Sequence, residues 1–269
     1  MPSKIYFDVD AFRFLGEAFA VQGLPQELRN RIVLDPLTAI EVLAQLCTPE
    51  AEVILAQIKA VPNWIDTEHA PILPWMDDVI AQTGFDVVPN YSDITDRVGN
   101  ALERCFHAPD AAALRQSAED VRRLLDAVKD ETVAALNALI GAHNQNPEAI
   151  AGLDQAWFGF LKRRARIEIT DHTVDDLKLS LDAAYQFEMA KVQEAVAIQH
   201  YNVDRRRNDC IDVEHLVYLS IPEMKFLTCD RGYRRKVAAG EQLGRICTST
   251  PAELRNRNTA EALLRELTR

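Results

Sequence analysis

The sequence predicts an α/β fold with a mainly parallel sheet, on three observations. Lys4-Ile-Tyr-Phe-Asp8 is a short apolar run that ends in an acid and precedes a helical pattern. Toward the other end, helix, strand, helix and short strand alternate over residues 209–219, 224–228, 231–239 and 245–247. Between them lie long stretches with apolar residues at helical spacing. Strand–helix alternation of this kind suits a parallel sheet covered by helices.

Each element has a local reason. Phe12, Leu15 and Phe19 place a helix from about residue 10, which Gly23-Leu-Pro25 breaks. Residues 30–34 are too short a run to assign. Asp35-Pro36 opens a helix through Thr38, Ile40, Glu41, Leu43 and Leu46, with Pro36 suited to its first turn. Pro49 begins another, carrying Val53, Ile54, Ile58 and Val61, and residues 62–74 read as a loop. Residues 85–88 read as a strand stopped by Pro89-Asn90, followed by a helix over 92–106. From 109 to 140, Leu114, Val121, Leu125 and Val128 share one face until Gly141 and residues 144–147 interrupt it. A further long helix over 173–198 carries Val174, Leu177, Leu181 and Val192 on one stripe, and residues 252–267 form a terminal helix. Tyr6, Trp64, Trp75 and Trp157 are assigned to packing.

The chain has 269 residues, of which 48% are hydrophobic, enough to bury roughly 75% of its extended surface. Its formal charge of -11 disfavours a general nucleic-acid coating protein, which needs a positive surface. No apolar run approaches the roughly 18 residues of a membrane span, and no secretory leader is expected. Five dispersed cysteines without a CxxC pair and six histidines without HExxH spacing disfavour a disulfide frame, a zinc ribbon or a zincin site. A reduced, cytoplasmic chain is the expectation.

Acids recur where a buried pattern calls for something apolar or where a strand ends. Asp8 closes the first strand, and Asp230 lies just past the strand that ends at Thr228. Ligands of parallel sheets bind outside the carboxyl ends of the strands, so both acids can meet in one crevice. Glu41 sits between Ile40 and Val42, and Asp212 heads a stripe with Leu216 and Leu219. Asp209 shares its face, one turn earlier. Converging carboxylates repel unless a cation intervenes, and a hard divalent ion such as Mg2+ or Mn2+ fits an all-oxygen set. Each acid also has an ordinary explanation. Asp10 would cap the first helix, Thr38-x-x-Glu41 matches a capping box, Asn208 or Asp209 would cap a helix that Asp212 favours electrostatically, and Asp230 would belong to a turn.

In these residues the chain resembles the PIN-domain nucleases found among bacterial toxin–antitoxin ribonucleases. The resemblance rests on Ile5-Tyr-Phe-Asp8-Val-Asp10, Leu34-Asp-Pro-Leu-Thr38-Ala-Ile-Glu41, Asn208-Asp209-Cys-Ile-Asp212 and Phe226-Leu-Thr228-Cys-Asp230. It implies a three-layer α/β/α core, Mg2+ or Mn2+ dependence and hydrolysis of RNA phosphodiesters. It carries a metal role to Asp8, Glu41, Asp212 and Asp230, with Asp209 as an alternative or additional ligand, and makes Thr38 and Thr228 the hydroxyls that orient an acid or a water. The discontinuous core would span residues 1–106 and 200–250, and 251–269 would be a terminal helix. Residues 107–199 form a large helical insertion without counterpart in the compact family domain: a lid, a dimer surface or an antitoxin platform.

Basic residues flank the acids. Arg205, Arg206 and Arg207 precede the third motif, and Arg231, Tyr233, Arg234, Arg235 and Lys236 follow the fourth. Residues 205–236 carry eight Lys and Arg against five Asp and Glu, reversing the overall balance. Phosphate neutralisation needs such a patch, and Tyr233 would stack on an unpaired base. A second cluster, Lys162-Arg-Arg164 with Arg166, reads equally as a solvated face. His215 reads foremost as a satisfied helix histidine, with contact to an acid or substrate as the other reading. Two further function classes stay open: a noncatalytic interaction protein using the helical block, and a metal-dependent enzyme acting on DNA or a small phosphorylated molecule.

Overall fold

The computed structural model describes residues 3–68, 72–81, 92–146, 157, 171–197 and 208–269. The expected strand at 85–88 and the basic clusters at 162–166 and 205–207 lie outside these residues.

Strand β1 (Lys4–Phe7) is buried from Ile5 to Phe7, and Asp8 after its end caps helix α1 (Val9–Phe19). Residues 30–34 then return beside β1. Ile5 and Ile32 form a parallel bridge there, with Ile5 N–H donating to the Arg31 carbonyl at 2.7 Å. Helix α2 (Gln26–Arg29) precedes that return, and α3 (Pro36–Ala44) follows it with Pro36 in its first turn. Its cap is Asp35, whose carboxylate accepts the Thr38 N–H. The capping box that Thr38-x-x-Glu41 matches therefore does not cap this helix; the cap lies three residues earlier, at Asp35. Likewise, α1 is capped by Asp8 and not by Asp10.

Helices α4 (Ala51–Lys59), α5 (Met76–Ala81), α6 (Ser92–His107) and α7 (Arg115–Gln145) follow. Helix α7 runs straight through Gly141. One half-buried glycine costs only about 1 kcal/mol of helix propensity, too little to stop a long helix. The single helix expected over 173–198 is two, α8 (Asp171–Ser180) and α9 (Asp182–Ala197). Gln242 explains the joint at Leu181: its side-chain oxygen accepts the Ala183 N–H and its amide donates to the Ser180 carbonyl, both at 2.9 Å. An inserted side chain of this kind breaks the helical ladder.

Helix α10 (Asp209–Val217), strand β2 (Met224–Thr228), the short α11 (Gly232–Lys236) and strand β3 (Ile246–Thr248) complete the core. The terminal segment is two helices, α12 (Pro251–Arg255) and α13 (Arg257–Leu267), parted at Asn256, which caps the second.

The described strands form a parallel sheet in the order β1-β2-β3, with Phe7 opposite Leu227 and Thr228 opposite Thr248. This is a mixed α/β fold, predominantly helical. Phe7 packs against Phe12 and Trp64 beside α1, whereas Tyr6 and Phe226 stack at 5.0 Å and meet Tyr218 and Tyr233. Helices α7 and α9 pack on α3, α10 and α11. Their apolar stripes thus join the cluster of buried side chains that includes the sheet. No helix among the described residues is long and apolar enough to cross a membrane.

Candidate functional site

Parallel pairing brings the carboxyl ends of β1, β2 and β3 to one edge of the sheet. Asp8 stands at that edge, 8% exposed. One carboxylate oxygen accepts the Ala11 N–H at 2.9 Å, and the other accepts the hydroxyl proton of Thr228 in a short hydrogen bond. Thr228 Oγ1 in turn accepts the Asp230 N–H at 2.9 Å. Two acids from two strands are thereby tied through one buried hydroxyl. Asp230 is exposed, and its Oδ1 accepts the Gly232 N–H at 2.6 Å. A β-carbon at position 232 would stand 2.9 Å from that oxygen, which is why glycine follows so closely.

Glu41 enters from α3, its side chain 13% exposed. The start of that helix is pinned to β1, because Thr38 Oγ1 lies 2.5 Å from the Phe7 carbonyl oxygen and 2.7 Å from Asp35 Oδ2. Asp212 enters from α10, half-buried beside buried Ile211 and Val213. Asp209 is the first residue of the same helix, and its side chain lies outside the described residues.

Tyr233 shows how these acids are related. Burial first, then Asp212, Asp8, Glu41 and Asp230 in that order, push its phenol well above the ordinary tyrosine pKa. The four acids singled out from the sequence therefore all act on one buried hydroxyl. Asp8 itself is raised to about 6, chiefly by burial, against the opposing pull of Thr228, the Ala11 N–H and His215.

The positive counterweight is His215, buried between Asp35 and Glu41. Its Nδ1 lies 3.4 Å from Asp35 Oδ1 and its Nε2 lies 3.8 Å from Glu41 Oε2. At these lengths the contacts are ion pairs and fall short of aligned hydrogen bonds. Burial works to discharge the imidazole, but the two carboxylates outweigh it and hold its pKa well above the usual histidine value. The ring also stacks on Phe226 with centroids 5.5 Å apart.

Two expectations for the basic flank are corrected. Tyr233 is no platform for a base, because its ring is buried between Phe226 and Phe187. Lys236 is no surface cation either: it is buried, with Nζ 4.6 Å over the Phe187 ring. Arg231, Arg234 and Arg235 are exposed, and Arg235 reaches Glu194 at 3.8 Å. Sequence reasoning missed Asp35, fully buried and facing His215. The available signal was an acid placed directly between the apolar run 32–34 and a helix-opening proline.

The acids offer only carboxylate oxygens, and that chemistry fits a hard divalent ion such as Mg2+ or Mn2+. Among the described residues, no three His, Cys, Asp or Glu side chains are gathered closely enough to hold an ion as they stand. No family model matches the chain, and no curated protein or solved structure matches it.

Proposed function

We propose that the chain is a metal-dependent endoribonuclease of PIN-like type that hydrolyses RNA phosphodiesters, with the three-layer core of that family. The observation that carries this reading is the tie between Asp8 and the Asp230 backbone through Thr228 at the carboxyl edge of a parallel sheet, beside a buried Tyr233 phenol whose pKa the charges of Asp212, Asp8, Glu41 and Asp230 all raise. Asp8, Glu41, Asp212 and Asp230 would hold Mg2+ or Mn2+, with Asp209 as an additional ligand. Such an ion supplies Lewis-acid stabilisation of the charge that develops on the phosphoryl group.

The chain's own residues do the remaining work. Thr228 orients the Asp8 carboxylate through its hydroxyl and holds the Asp230 backbone through its oxygen, while the Gly232 N–H donates to the Asp230 carboxylate. The buried Tyr233 ring, packed edge to face on Phe226, would keep water from beneath the carboxylates. Arg231 and Arg234 are exposed just beyond Asp230 and would meet phosphate oxygens by charge-assisted contacts. The net charge of -11 resists loose binding, so this local patch would select a particular substrate. The resemblance to toxin ribonucleases extends the proposal to an antitoxin partner and to a homo-oligomer.

Incubation with RNA, matched DNA and a small phosphate ester, each with Mn2+ or a chelator, tests the reading. RNA cleavage with Mn2+ is expected, absent from Asp8→Asn and Asp230→Asn variants that retain the wild-type circular dichroism. An inert wild-type protein, or variants that cleave like it, would sink the reading. Cleavage of DNA or of the ester alone would move the substrate class.

A further inference from the structure

Asp35 and His215 are buried titratable residues that the proposed chemistry does not use. Asp35 is 0% and His215 1% exposed. Burying charges without function is poor economy for a fold, since well-packed apolar residues of similar volume are often as stabilising as a buried ion pair. The capping role of Asp35 does not require a charge, because Asn, Ser or Thr also cap helices.

The two residues are rigidly set. Asp35 accepts the Thr38 N–H at 3.0 Å, and Thr38 reaches the carbonyl of Phe7, the residue before Asp8. His215 is held by its stack on Phe226, and its carbonyl accepts the Tyr6 hydroxyl proton at 2.7 Å. Glu41 is the third member: its Oε2 stands 3.8 Å from His215 Nε2, and its charge is among those that raise the Tyr233 pKa. Asp35 faces one ring nitrogen and Glu41 the other, so the ring that Asp35 orients decides where the Glu41 carboxylate rests.

We propose that Asp35 and His215 are positioning residues, a buried carboxylate–imidazole clamp that sets the direction of Glu41 for a divalent cation. The inference rests on the metal-dependent reading above. Groups that orient a metal ligand from behind typically change metal affinity by about 10–100-fold when lost.

Calorimetric titration of the full chain with Mn2+ tests it, using Asp35→Asn, His215→Gln, Glu41→Gln and the doubles that combine each clamp variant with Glu41→Gln. Asp35→Asn keeps a capping side chain, so it serves even where His215→Gln does not fold. In the wild-type background, Asp35→Asn is expected to weaken Mn2+ about tenfold or more. In the Glu41→Gln background it should change affinity less than about twofold, because the ligand it positions is gone. Equal losses in both backgrounds, or no loss in either, overturn the clamp while the metal site stands. A wild-type chain that takes up no Mn2+ overturns the metal reading and the clamp with it.

Discussion

Replacing Asp8 by Asn should stabilise the protein above neutral pH while destroying its proposed activity. Burial raises the Asp8 pKa from 3.8 to about 6. The folded chain therefore binds this proton more tightly than the unfolded chain does. The resulting stability is complete below the unfolded value and is lost as pH rises through about 6. At about 1.4 kcal/mol per pH unit the rise is worth about 3 kcal/mol in all, of which about 2 kcal/mol falls between roughly pH 4.5 and 7.5. Asparagine can still accept the Ala11 N–H and does not ionise. Urea unfolding of both proteins across that range, with a chelator present, isolates the effect, since every other titrating group is common to the two. The variant should gain about 2 kcal/mol on the wild type as pH rises. Profiles that stay parallel within about 0.5 kcal/mol would refute the argument that Asp8 is held as a strained, desolvated carboxylate. A site that keeps such a charge at the expense of stability is what function-driven selection leaves behind.

Three further outcomes follow from the packing. Phe226→Ala removes the ring on which Tyr6, His215 and Tyr233 rest, and should cost about 3–5 kcal/mol in urea unfolding; a loss under 1 kcal/mol would show that these rings are held by something else. Lys191 and Glu188 form an ion pair inside α9, 1% and 3% exposed. Lys191→Met alone should lose about 3–5 kcal/mol, whereas the double Glu188→Leu/Lys191→Met should unfold near the wild-type denaturant midpoint; equal losses would contradict a buried charge pair. Gly240 has φ of 90°, and a β-carbon there would clash with the Asp182 carboxylate, so Gly240→Ala should lower stability by at least about 1–3 kcal/mol, read as a fall in the thermal midpoint.

How much of this was legible in the sequence depends on the range of the interaction. Strands β1 and β2 were legible because each is an apolar run ended by an acid or hydroxyl, and the same signal exposed Asp8, Thr228 and Asp230. Helix boundaries set by long-range contacts were not. The break at Leu181 carries no Gly or Pro, and it is made by Gln242 from far along the chain. The burial of Tyr233 was hidden because α11 is five residues long, too short for periodicity to declare a face. His215 was weighed as a helix histidine because the carboxylates it faces lie on and before α3. Only the fold brings residues 35, 41 and 215 together. The basic flank misled for a related reason: a run of cations does not reveal that one of them turns inward over Phe187.

The central claim is that Asp8 and Asp230 near the sheet edge, with Glu41 from α3 and Asp212 from α10, hold a divalent cation for RNA hydrolysis. A crystal structure of the protein soaked in Mn2+, with the anomalous signal of the metal, tests it most directly. The account predicts a manganese peak bounded by oxygens of Asp8, Glu41, Asp212 and Asp230 next to Tyr233. Full Mn2+ occupancy elsewhere, with those carboxylates directed away from one another, would contradict it.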